Sequence, residues 1–311
     1  MIVSYFNNTK PVNFIFLSTI LVFLILFSFY FNESKVFSVI QISNVLILLA
    51  SFFVFNFMTK SKSVSSKNNF GILFYVLISG LLFTSFFDFN KIIANFLTIL
   101  ALQQLYNLSN KEKSAKEKVF NNGLLLGMAT LFYPLSVVFI LLTYIANMLF
   151  NKMNWRMFII PIIGFVIPLF LVFSLNNFFG IELVSNYIPN VTFSLPFLTD
   201  NIILYIIVGF LGFLLLWSLF TISVNLNSKL VAYKDYHTLT VLQLILAVFL
   251  LVFSPNKDGS EMLFLIFPLS ILLAHLIKLI PKKRLSNLII FSLIVLLVLQ
   301  FFTKSQITSI T

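Results

Sequence analysis

Residues 123–150 read GLLLGMATLFYPLSVVFILLTYIANMLF, and the number of times this stretch crosses a membrane decides the topology of everything around it. As one helix its 28 residues would extend about 42 Å, beyond a hydrocarbon layer about 30 Å thick. Charge supplies the stronger argument. A single crossing would separate NKEKSAKEK (110–118) from NKMNWR (151–156), although both segments are basic. Two crossings place both on one side and leave Tyr133-Pro134 at the turn. Proline suits that position because it lacks a backbone donor and pushes the preceding residue away from helical geometry. Gly123 and Gly127 add a small-xxx-small face for close helix contact.

The rest of the chain has the same character. Of 311 residues 60% are hydrophobic and only 9% are charged, too little polar surface for a water-soluble domain of this length. Apolar runs recur from end to end between short polar breaks, the pattern of a helical polytopic protein rather than of alternating barrel strands. The expected fold is therefore all-α, a single integral membrane domain over 1–311 with about 10–11 spans. They are expected near 12–31, 36–58, 70–87, 92–109, 121–133, 135–150, 157–178, 201–220, 238–253, 262–280 and 288–302. The first run, Val12 to Phe31, is longer than a signal-peptide core and has no small-x-small cleavage site after it, so it reads as a retained helix.

With eleven crossings and a cytoplasmic amino terminus, 16 of the 20 Lys and Arg residues fall on the inner side. Only Lys35, Lys91, Lys257 and Lys304 fall outside, a bias that selects this orientation by the positive-inside rule. The same rule, with anionic lipid headgroups, accounts for the net charge of +11 without nucleic acid as a partner. The chain has no cysteine, which excludes disulfides, thiolate metal sites and cysteine nucleophiles. A phosphate-cradling glycine loop, a nucleotide-binding β-α unit and a nucleophile elbow are all lacking, which argues against ATP-driven pumping by this chain alone.

The outer side gathers Glu33, Asp88, Glu182, Asp200, Asp258 and Glu261, six of the nine acids. Asp88 stands out because Asp88, Lys91, Asn95 and Thr98 follow 3-4-3 spacing, which stacks them on one helix face pointing into the membrane. Polar groups at that depth face a bundle interior or a wet cavity. The bland alternative is an Asp88–Lys91 pair capping a helix at the interface. Glu33, in the short loop NESK, needs no function to explain it. Asp258 and Glu261 flank Gly259 in PNKDGSE, which reads as a solvated turn. The outer segment 180–200 carries two prolines and many apolar residues, and is expected to lie along the membrane surface or over a cavity. Its Asn190-Val191-Thr192 fits a glycosylation acceptor pattern. His275 lies within a span and His237 at the inner boundary, neither with a partner at metal-ligand spacing in the sequence.

The block FFDFNKIIANFLTILALQQLYNLSNKEKSAKEKVFNNGLLLGMATLFYPLSVVFILL (86–142) resembles the middle of polytopic C-type glycosyltransferases, the GT-C superfamily. Those enzymes combine an outer polar residue, a basic cytoplasmic turn and a Gly-rich helix leading to a proline-bearing outer turn. The chain also resembles polytopic inner-membrane proteins of Bacteroidota, and this implies an inner-membrane location. The GT-C resemblance implies transfer or handling of a sugar carried on a polyprenyl phosphate, with membrane lipid as surroundings. In such a mechanism Asp88 is the candidate catalytic carboxylate and Glu33 the second. Lys91, Asn95, Tyr133, Glu182 and Asp200 are candidate substrate-binding residues, and a divalent metal is the one cofactor the resemblance allows, although no metal ligands are assigned. The short loop bearing Glu33 departs from the family, whose first outer loop is long and acidic. The competing expectation is a non-catalytic membrane subunit with membrane-protein partners, scaffolding an envelope-assembly or export complex.

Overall fold

The computed structural model describes residues 2–30, 39–60, 68–82, 88–109, 115–150, 154–179, 202–225, 231–254 and 259–310. It is helical throughout, with no strand among the described residues. In chain order the helices are α1 (Ile2–Phe6), α2 (Pro11–Tyr30), α3 (Val39–Lys60), α4 (Phe70–Leu81), α5 (Phe89–Tyr106) and α6 (Ala115–Phe132). They continue with α7 (Ile140–Leu149), α8 (Trp155–Phe179), α9 (Ile202–Asn225), α10 (Val231–Phe253), α11 (Leu263–Leu279) and α12 (Lys283–Ile310). Among the described residues, six helical segments of 20 to 25 residues are long and apolar enough to cross a membrane, one of them α11 together with the turn before it. The chain is a multi-pass helical membrane protein.

The opening stretch is broken where proline breaks it. α6 ends at Phe132, Tyr133 is extended (φ −140°, ψ 101°), and Pro134–Phe139 form a 3-10 turn leading into α7. The chain then doubles back. Thr143 of α7 donates its hydroxyl proton to Asn122 Oδ1 of α6, a pair placed symmetrically about the Tyr133-Pro134 junction. Asn122 Nδ2 donates in turn to the Ala101 carbonyl of α5 at 2.8 Å, so one amide ties three antiparallel helices. The next reversal is closed in the same way, by Tyr144 Oη donating to the Phe158 carbonyl and Asn147 Nδ2 to that of Met157.

These reversals sort the helix termini into two ends. At one end Tyr106 bonds Thr240, His237 meets His275, Val3 N–H donates to Asn287 Oδ1, and Asn69 N–H donates to the Phe6 carbonyl. Lys10, Lys60, Lys116, Lys118, Arg156, Lys234, Lys278, Lys282, Lys283 and Arg284 lie on the helix termini of this end. At the opposite end Phe27 packs on Phe301, Tyr133 on Phe264, and Lys91 reaches Glu261.

α4 and α11 form the centre. Every residue of α4 is buried, as is 83% of the α11 span, whereas the α8 span is only 17% buried. Burial from water cannot hold helices together in lipid, so the centre rests on close packing. Phe55 illustrates it, with its ring 4.7 Å from Tyr75 and 5.3 Å, edge to face, from Phe267. α8 is attached differently. Gly123 and Gly127 of α6 face the backbone oxygens of Pro161 and Phe165 on α8, and Gly164 faces that of Phe120. A Cβ at any of the three would collide with main chain, so here only glycine permits the approach. The expected small-residue face is thus a real contact, between two parallel helices.

Some boundaries differ from the hydropathy reading. α6, α10 and α12 start before the expected 121, 238 and 288, because segments such as AKEKV and VAYKDYH continue the helix past the apolar window. Helical hydrogen bonding needs no hydrophobicity, and lysines at a helix end can reach the interface.

Two outcomes follow. In this cysteine-free chain, single cysteines replacing Lys116 and Arg156 should react with an impermeant maleimide from the same face of a sealed vesicle; reaction from opposite faces would remove the reversal at Pro134. Gly127→Leu should lower stability by about 1–3 kcal/mol through overpacking, read as earlier melting of Trp155 fluorescence in detergent.

Candidate functional site

The end opposite the basic termini is built around the first turn of α5. Asp88 is its N-cap, extended at φ −86° and ψ 105°, and its Oδ1 accepts from Asn90 N–H at 3.0 Å and Lys91 N–H at 3.3 Å. The cap aims the next turn inward. Lys91, Asn95 and Thr98 are all buried on the face predicted from their spacing, and the Thr98 hydroxyl donates back to the Asn95 carbonyl within the same helix.

Lys91 finds its partners on the α10–α11 turn. Nζ lies 2.8 Å from Glu261 Oε1, 2.7 Å from Ser260 Oγ and 3.5 Å from Asp88 Oδ2. The Ser254 hydroxyl donates to the same Glu261 oxygen. Gly259, at φ 83°, makes the turn possible, since a left-handed residue there costs glycine little, and the Ser260–Met262 turn that follows points Glu261 into the bundle. The Tyr133 ring, stacked on Phe264, closes one side with its centroid 5.8 Å from Lys91 Nζ.

An ammonium has three protons to donate. Ser260 and Glu261 take two of them in hydrogen bonds and Asp88 Oδ2 stands at 3.5 Å as an ion-pair contact, so Lys91 is engaged by the protein. Glu261 is 1% exposed and Lys91 4%, which makes this an ion pair taken out of water rather than a surface contact. Such a pair stabilises a fold mainly in the negative sense, because either partner left alone is an uncompensated buried charge. Asp88 differs, since its side chain keeps 28% of its surface exposed.

Of the candidate residues, Asp88, Lys91 and Tyr133 meet at this site, and Asn95 lies buried one turn further along α5. Glu33, Glu182 and Asp200 lie outside the described residues, as do Asp258 and the Asn190 acceptor pattern. Glu261 is the correction. The turn that reads as solvated delivers it into the interior, because its partner stands on another helix 170 positions away. Ser254 and Ser260 were likewise missed.

The two histidines also need a second reading. Far apart in sequence, they meet across antiparallel α10 and α11 with ring centroids 6.5 Å apart, near Tyr106, whose ring stacks on Tyr236 at 5.6 Å. Among the described residues no three metal-ligating side chains converge.

A closed helical bundle with a buried ion pair toward one end and basic termini at the other defines a polytopic membrane protein. The chain belongs to the DUF6427 family, a family of unknown function, which matches it over residues 9–310. Comparison with curated proteins and with solved structures found no match.

If the ion pair is as interdependent as its geometry implies, Lys91→Met and Glu261→Gln should each cost about 3–5 kcal/mol, and Lys91→Met/Glu261→Leu should recover most of that. Thermal melting of the four proteins in detergent forms the cycle; additive losses would show that the pair is uncoupled.

Proposed function

We propose that this protein is a non-catalytic subunit of the inner membrane, with its basic end in the cytoplasm, that scaffolds an envelope-assembly or export complex. The burial and pairing of Lys91 carry the reading. A residue meant to hold a lipid phosphate keeps donors for it, whereas Lys91 is buried, hydrogen-bonded to Ser260 and Glu261 and in ion-pair contact with Asp88. Its cluster thereby fixes α5 against the α10–α11 turn. The orientation rests on the ten described cations at the basic end and the positive-inside rule. The protein partners would meet apolar helix faces such as that of α8, where Phe158, Phe170 and Phe173 are exposed.

One observation favours a second reading, transfer of a sugar from a polyprenyl phosphate at the outer face. Asp88 uses Oδ1 for the cap, while Oδ2 has only the longer contact with Lys91 and the side chain is partly exposed. A carboxylate so placed could take the proton of an acceptor hydroxyl as its oxygen bonds to the anomeric carbon and the phosphate departs with the electrons of the broken bond.

Asp88→Asn separates the readings, because asparagine caps a helix about as well as aspartate yet cannot serve as a base at neutral pH. With this variant as the only copy in the cell, the scaffold reading expects unchanged glycan and glycolipid profiles and an unchanged assembly on native gels. Loss of a glycan species with the assembly intact would replace it with the transferase.

A further inference from the structure

The N-terminal hook of the chain forms two clefts at the basic end. α1 lies against the start of α12 and the start of α4, fixed by Val3 N–H to Asn287 Oδ1 at 3.0 Å and Asn69 N–H to the Phe6 carbonyl at 3.0 Å. Asn69 Nδ2 reaches the carbonyls of Asn8 and Lys10, and Asn13 Nδ2 reaches that of Tyr5, each at 3.3 Å. These bonds come from helices of the bundle, so the hook is a fixed wall. Ile2 stands between a cleft of about 510 Å³ bordered by Arg284, Leu288 and Phe291, and another of about 650 Å³ bordered by Tyr5, Lys10 and Phe16.

Each cleft sets a cation beside exposed apolar side chains. Arg284, Leu288 and Phe291 follow i, i+4, i+7 spacing, so a cation at the helix start is followed by apolar side chains on the same face for about 10 Å into the membrane. Leu288 is 66% and Phe291 58% exposed. On the other side Lys10 precedes Phe16, 52% exposed, along α2. Neither Lys10 nor Arg284 pairs with a carboxylate among the described residues. A groove on α8 bordered by Ile162, Val166 and Phe170 provides the contrast, since it is apolar throughout and offers an acyl chain nothing to orient its head.

We infer that the two clefts beside α1 bind acidic glycerophospholipid from the leaflet at the basic end, with Arg284 and Lys10 holding phosphate and Phe291 and Phe16 lying along the chains. A cation alone would serve any anion. The exposed aromatic and aliphatic residues below it select an anion that carries a hydrocarbon tail. The inference is independent of whether the protein scaffolds or transfers.

The test is native mass spectrometry of protein released from nanodiscs made of equal parts phosphatidylglycerol and phosphatidylcholine. Wild type should retain phosphatidylglycerol preferentially. Lys10→Gln/Arg284→Gln should weaken retention in each cleft about fivefold, at about 1 kcal/mol for the one cation each loses, without changing phosphatidylcholine. Lys282→Gln/Lys283→Gln, which removes neighbouring exposed cations outside both clefts, should retain as wild type does. Equal retention of the two lipids by wild type, or an equal loss in the Lys282/Lys283 control, would overturn the site. Displacement of the lipid by inorganic phosphate would reassign it to a free anion. Should the double variant fail to fold, Arg284→Gln alone should lose about fivefold in the Arg284 cleft while the Lys10 cleft keeps its lipid, and Arg284→Lys should keep binding in both; loss of the Arg284 cleft's lipid in both variants would also overturn it.

Discussion

The side-chain amide of Asn122 occupies the point where α5, α6 and α7 meet, and the register of the three helices depends on the two bonds it makes there. It donates to the Ala101 carbonyl and accepts from Thr143. Interhelical hydrogen bonds in membranes average only about 0.6 kcal/mol, so the pair adds little bulk stability. Its effect is on register. Any sliding of α6 against either neighbour leaves a carboxamide unsatisfied in hydrocarbon, which costs several times what the bonds contribute. Proline and flanking charge set the reversal at Tyr133-Pro134, and that registration holds its two arms against each other.

The reversal was legible in sequence because it rests on sums. Lysines flanking both ends of the stretch, the proline and the excess length point the same way, and no single contact decides the matter. The 3-4-3 face of α5 was legible for a similar reason, since a helix converts spacing directly into direction. Glu261 was not. Read locally, PNKDGSE has every mark of a solvated turn, and only the arrival of Lys91 on another helix makes burial of the carboxylate tolerable. Asn122 falls inside the expected span 121–133, but nothing in the sequence shows that its amide meets Ala101 and Thr143 on two other helices. The histidines failed in the opposite way, for they were treated as separate residues until an antiparallel pair of helices brought them together. Periodicity and charge bias can be read from one chain, whereas pairing across helices is a property of the assembled bundle.

Two polar clusters mark the ends of the interior. Lys91, Glu261, Ser254 and Ser260 cluster at one, and Tyr106, Thr240, His237 and His275 at the other, with α5, α10 and α11 contributing to both. Between them α11 is packed by Phe264, Phe267, Leu269, Ile271 and Leu272, each 4% exposed or less. Polar contacts at both ends fix the tilt and rotation of these three helices, and dispersion fills the middle. A bundle clamped in this manner resists the sliding that alternating access would require more strongly than one held by apolar contacts alone, because moving α11 along its axis would break the Lys91–Glu261 pair.

That restraint bears on how the protein could act. The buried, paired cluster around Lys91 leaves little freedom in the interior, so function is more readily placed at the exposed surfaces. Two kinds of surface are present, the apolar faces typified by α8 and the cationic clefts flanked by α1. α8 is joined to the bundle by backbone contact at Gly123, Gly127 and Gly164, an attachment that permits close approach on one face while leaving the others uncovered. The clefts differ because fixed hydrogen bonds from Asn69 and Asn287 define their walls and a single cation sits beside each. Asp88 stands apart from both surfaces, with Oδ1 spent on the helix cap and a side chain that keeps 28% of its surface exposed. Whether the chain is a scaffold or a transferase therefore comes down to the chemistry of one carboxylate oxygen, since the cap it belongs to is needed in either case.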